Sequence, residues 1–126
     1  MREMRISYAQ PWIRVHKGAI FSAYNTSPFF PFFKDELFEI YDKRHELLYA
    51  LNLEILKFLL KKLKYKGEVL ESFPQGEISD LRSMVHPDAL KSSLKTGAPY
   101  QQVFGYKFPF CSHLSALDCL ANTGMV

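Results

Sequence analysis

Residues 43–63 read KRHELLYALNLEILKFLLKKL. Leu47, Leu48, Leu51, Ile55, Phe58, Leu59 and Leu63 recur at spacings of three and four, the period of an α-helix with one buried face. The spacing predicts the longest helix of the chain, over about 43–63, with Gly67 closing the polar stretch that follows. Lys57, Lys61, Lys62, Lys64 and Lys66 crowd its end, where cations suit the helix dipole. A charge run in that position reads as a solvated helix end rather than as a patch for nucleic acid.

The pattern continues outward on both sides. Upstream, Leu37, Phe38, Ile40 and Tyr41 supply the buried side of a helix at 35–41, with Asp35 as its cap. Ser27-Pro28 is a helix-start pair, and Pro31 limits the run Phe29, Phe30, Phe32, Phe33 to about one turn. In 11–25, Trp12, His16, Ala19, Ile20, Ala23 and Tyr24 share one helical face, with Arg14 and Lys17 off it. Residues 4–8 alternate apolar and polar, a short strand signal. Downstream, 68–71 predicts a second short strand, and 72–99 is a long connection with room for a one-turn helix at Asp80–Val85. A last helix spans about 113–122, with Leu114, Leu117 and Leu120 inside it and Gly124 as its stop. The expected fold class is α+β, predominantly helical, with three to five helices and one or two short strands in a single domain over 1–126.

The 126 residues are 48% hydrophobic and 15% aromatic, enough for one core. The rings cluster at 21–41 and 100–110, so they either fill that core or await a partner surface. A net charge of +3 gives no reason to expect a nucleic-acid partner. Cys111 and Cys119 form no CxxC pair, and reduced thiols in a cytoplasmic protein are the simpler reading. His16, His45, His86 and His113 lack metal-ligand spacing, and no glycine-rich phosphate loop is present. The residues point to no particular cofactor and to no oligomeric state. The opening MREMRISYAQ has no apolar signal-type run, and no apolar stretch is long enough to span a bilayer.

Two segments carry a family resemblance. The first is Trp12-Ile13-Arg14-Val15-His16, then Ala19-Ile20, Ser22-Ala23-Tyr24 and Ser27-Pro28-Phe29-Phe30, continuing through Asp35-Glu36, Ile40-Tyr41 and Leu51-Asn52-Leu53. The second is Tyr100-Gln101-Gln102-Val103-Phe104, then Lys107, Phe110, Leu114-Ser115, Leu117-Asp118, Leu120 and Gly124. Between them stand Asp80-Leu81-Arg82 and His86-Pro87. In order and spacing these resemble the WbqC-like family associated with bacterial O-antigen gene clusters. Pro109, Ser112-His113 and Ala121 depart from the family's closing pattern. Family members are longer and carry a Gln-Pro-x-Tyr-like opening and an Asn-Arg motif that this chain lacks. The resemblance therefore implies the C-terminal part of such a protein, whose helices would cover a sheet lying upstream. It also implies a role in surface-polysaccharide biosynthesis, with transfer of glycine or a related group to a small-molecule or nucleotide-sugar substrate.

The candidate catalytic residues are His16, Arg82 and His86. His16 is either a boundary histidine or a general base, since imidazole titrates near neutrality. Arg82 and His86 are four apart, so a helix there puts both on one face, where Arg can hold a phosphate or carboxylate. Trp12, Tyr24, Tyr100 and Gln101 are the candidate substrate-binding residues. One of Gln101 and Gln102 is expected to bind loop backbone, because a buried amide must be satisfied. Ser115 and Asp118 read as capping and core hydrogen-bonding groups rather than as a nucleophilic pair. The alternative is a non-catalytic helical interaction module that presents Phe29, Phe30, Phe32 and Phe33 to a partner, or an inactive truncated fragment.

Overall fold

A computed structural model describes residues 2–70, 72, 75–76, 98–112 and 114–124. The chain divides into two units, Met1–Tyr65 with Pro99–Val126, and Lys66–Ala98. All the elements below belong to the first. They are α1 (Trp12–Tyr24), a 3-10 turn (Phe30–Phe32), α2 (Lys34–Asp42), α3 (Leu48–Lys62) and α4 (Ala116–Thr123). The described chain is predominantly helical, and none of these helices is long and apolar enough to cross a membrane.

The core is assembled from the 3-10 turn and three helices. Phe30 opens the turn and Phe33 follows it, Leu37 and Ile40 come from α2, Leu51 and Phe58 from α3, and Leu120 and Ala121 from α4. Phe30 is its hub, 1% exposed, with the rings of Phe21, Tyr24, Phe33 and Phe38 at 5.5–6.5 Å. Edge-to-face arrangements in that range add to plain burial. Helix α1 buries none of its residues fully and lies against this core through half-buried Trp12, Ile20 and Tyr24.

Pro31 does confine the phenylalanine run to a single 3-10 turn. Ser27 does not cap it. The turn starts from Phe29, and the buried Ser27 Oγ has no hydrogen-bond partner among the described residues. Asp35 likewise lies inside the first turn of α2 with Glu36, and Phe33 holds the cap position. There the two carboxylates face the positive end of the helix dipole.

The strand expected at 4–8 is reduced to one antiparallel bridge, Arg5 to Leu47. Its bonds are Ile6 N–H to Glu46 O at 2.9 Å and Leu48 N–H to Met4 O at 2.9 Å. The second bond satisfies one of the four amides that every helix leaves unpaired at its start. Residues 68–70 are exposed and in no strand, and Glu71 lies outside the described residues. The expected helix at 43–63 begins five residues late, at Leu48. Arg44 adopts φ 52° and turns the chain after α2, and residues 46–47 are drawn into the bridge. Helix α3 ends in a Schellman motif, with Tyr65 N–H on Leu60 O and Lys64 N–H on Lys61 O. Lys64 takes the left-handed position at φ 53°. Helix α4 starts at Ala116, after Ser115, and stops at Gly124, whose φ of 75° and amide bond to Leu120 O fulfil its expected role. The one-turn helix expected at 80–85 lies outside the described residues.

Candidate functional site

A cluster of hydrogen-bonded polar side chains lies where the end of α1, the loop 99–112 and the start of α4 meet. Helix α4 carries Asp118, a carboxylate only 6% exposed. The Tyr100 hydroxyl donates to its Oδ2 at 2.6 Å, and Gln102 Nε2 donates to the same oxygen at 3.3 Å. Gln102 also closes the loop on itself. Its Nε2 donates to Cys111 O at 2.8 Å, and its Oε1 accepts from Cys111 N–H at 2.9 Å. One side chain thus supplies the pair of bonds that a backbone neighbour would supply in a hairpin. Asn122 Nδ2 donates to Asp118 O at 2.8 Å and ties the carboxylate's own turn down.

The electrostatics follow from this burial. The Tyr100 phenol is pushed up to about 12, first by burial and then by its bond to Asp118. The Tyr24 phenol is raised by burial and then by the Asp118 charge. Both phenols therefore stay protonated throughout the neutral range. Above them lies a cavity of about 550 Å³, lined by Tyr24, Gln102, Phe104, Phe108, Phe110, Cys111, Leu114 and Asp118 among others. That is within the size range of ligand pockets, and apolar walls with a few convergent polar groups are their usual make-up. A neighbouring cavity of about 550 Å³ is lined by Ser22, Asn25, Gln101, Gln102 and Asn122 among others. A larger groove of about 810 Å³ runs along α1 past Tyr8, Arg14, Phe21, Phe38 and Arg44. Lys17, which also lines it, is already held by Asp42, donating to both carboxylate oxygens at 2.7 Å.

The sequence-predicted residues fall into separate places. Tyr24 lines the aromatic cavity, and Tyr100 stands behind Asp118. Gln101 is exposed and lines the neighbouring cavity, and the amide that binds loop backbone is Gln102. His16 is exposed, edge-on to Trp12 at 5.2 Å and to Tyr41 at 6.2 Å. Eight residues of helix separate it from Tyr24, about 12 Å along the axis, and it does not line the aromatic cavity. The Trp12 indole donates to Ser7 O at 3.0 Å, which occupies its one polar atom in holding the segment before α1. Arg82 and His86 lie outside the described residues. Asp118 was legible only as a core hydrogen-bonding residue. Its i+3 spacing from Ser115 carries no sign that a cavity opens beside it.

Fold and site together define a predominantly helical domain whose buried carboxylate and aromatic loop face a ligand-sized cavity. The chain belongs to the WbqC-like protein family, whose model matches residues 1–85. That range takes in the Trp12–His16–Tyr24 segment, the phenylalanine run, Arg82 and the first part of the 72–99 connection. The stretch from Tyr100 to Gly124 lies beyond it. No curated protein and no solved structure matches the chain.

Proposed function

We propose that this chain is the substrate-seating part of a group transferase for surface-polysaccharide assembly of the O-antigen kind, acting in the cytoplasm, and that the aromatic cavity over Asp118 holds a sugar-bearing small molecule. Membership of the WbqC-like family supports the setting. The observation that carries the seat is a carboxylate that is buried yet lines a cavity of about 550 Å³. Rings such as Tyr24, Phe104 and Phe110 offer apolar faces to a sugar ring, and Asp118 offers an acceptor for its hydroxyls, while Gln102 is spent on holding the loop and the carboxylate. In this reading Asp118 orients the acceptor hydroxyl or amine. His16, which does not line this cavity, is the candidate general base, and Arg82 and His86 are the candidates for holding an anionic donor and for returning a proton. Transfer of glycine or a related acyl group is the leading chemistry, with a nucleotide sugar as the companion substrate.

The test is incubation of the chain with nucleotide-sugar and aminoacyl donors, followed by mass spectrometry of the products. Transfer that is lost in Asp118→Asn and in His16→Ala supports the proposal, and no transfer with any donor pair sinks it. A second reading, a non-catalytic interaction module, keeps one specific support. Phe32 is 80% exposed and Phe29 is partly exposed, whereas Phe30 and Phe33 are core residues. Phe32→Ser abolishing capture of a partner, with the fold unchanged, would favour it.

A further inference from the structure

We propose, resting on the reading of this cavity as the substrate seat, that it selects a primary ammonium group, such as the free amine of an unacetylated amino sugar. Among the described residues Asp118 is the only charged side chain lining the cavity. Its partners in the described chain are neutral: the Tyr100 phenol and the Gln102 amide on one oxygen, and the Tyr24 phenol alongside. Neutral donors stabilise a carboxylate without cancelling its charge. The lysine of the described loop, Lys107, lies over the Tyr106 ring at 5.4 Å and does not line the cavity. Among the described residues no lysine or arginine pairs with Asp118.

Taking a carboxylate out of water is costly even after relaxation. The Tyr100 and Gln102 donors and the dipole at the first turn of α4 offset part of that cost. A cation in the cavity would supply the opposite charge that none of these provides. The walls suit such a cation, because the faces of Tyr24, Phe104 and Phe110 carry the negative side of the aromatic quadrupole. An anionic ligand would meet the buried charge with nothing to offset it, and a neutral polyol would leave it uncancelled.

The experiment titrates the full chain with D-glucosamine, D-glucose and N-acetyl-D-glucosamine by chemical-shift perturbation, at a pH where the free amine is protonated. Protection of Cys111, an exposed thiol on the cavity wall, against a maleimide reports occupancy independently. Glucosamine is expected to bind at least about tenfold more tightly than glucose, as a charge-assisted bond implies. Acetylation should return it to the glucose level. Asp118→Asn should erase the preference, and Tyr100→Phe, which keeps the carboxylate, should retain it. Equal affinity for the three sugars overturns the ammonium assignment and leaves the sugar seat standing. No binding and no protection by any of them overturns both. A preference that survives Asp118→Asn removes Asp118 as its source, and the wild-type comparison decides the ligand class even where that variant does not fold.

Discussion

At the residue scale, two positions show how little local pattern says about cost. Gly124 ends α4 at φ 75°, and a Cβ placed there would meet the Phe29 ring at 2.4–2.7 Å. Backbone strain and a clash coincide, so Gly124→Ala should lose more than about 1 kcal/mol in urea unfolding. Phe29→Ala should restore part of that loss by clearing the space. Tyr100 is the second position. Removing its hydroxyl leaves a buried carboxylate one donor short, and Tyr100→Phe should cost about 1–3 kcal/mol. Because folding raises the Tyr100 phenol to about 12, its contribution is present below the ordinary tyrosine range near 10 and is lost as pH rises through about 12. Ultraviolet titration should show a late-ionising tyrosine that Tyr100→Phe deletes. A titration unchanged by the substitution would contradict the assignment.

At the element scale, the helix ends carry the surprises. Both α2 and α3 are followed by a left-handed residue that is not glycine, Arg44 and Lys64. A side chain in that conformation costs roughly 1–2 kcal/mol, so Lys64→Gly should raise stability by about 1 kcal/mol, read as a shift in the denaturation midpoint. Arg44 has a partial offset, since its guanidinium lies over the Tyr8 ring at 4.7 Å. Tyr8 in turn donates to His45 O at 2.6 Å, which helps fix the segment between α2 and α3. The 3-10 turn is the element on which the packing depends. Phe30→Ala should cost about 3–5 kcal/mol. Phe32→Ala, two residues away on the exposed side, should stay within about 0.5 kcal/mol. Equal losses at the two positions would mean that the turn is not anchored as described.

At the scale of the whole molecule, ion pairs bind the helices along their exposed seams. Glu36 of α2 bonds Lys62 and Lys61 of α3, and Glu54 of α3 takes Lys43, with His45 Nε2 at 2.8 Å. Lys62, then Lys61, hold the Glu36 carboxyl below its usual range, and Lys43 does the same for Glu54. A lowered folded-state value means that the stabilisation is present above the unfolded carboxylate range, near pH 4.3, and disappears as pH falls through the folded values. Both groups are largely open to solvent, which screens the pairs, so each contributes little to stability. The Glu36→Gln, Glu54→Gln double variant should show a flatter loss of urea stability from pH 6 to pH 3, and high salt should reduce the difference. Sequence alone determined which segments become helices, because the apolar period of Leu51, Ile55, Phe58 and their neighbours leaves one way to bury them. It also marked Pro31 and Gly124 as stops, through the backbone angles those residues permit or forbid. It singled out Tyr24 and Tyr100 but placed the loop contact on either Gln101 or Gln102. Tertiary structure alone decided that Gln102 makes it, that α3 starts at Leu48, and that His16 faces solvent. It alone set Asp118 beneath an aromatic cavity. The physical reason is range: periodicity and capping act over a few residues, whereas a carboxylate's burial and partners depend on segments 16 to 94 positions away in the chain, from Gln102 to Tyr24.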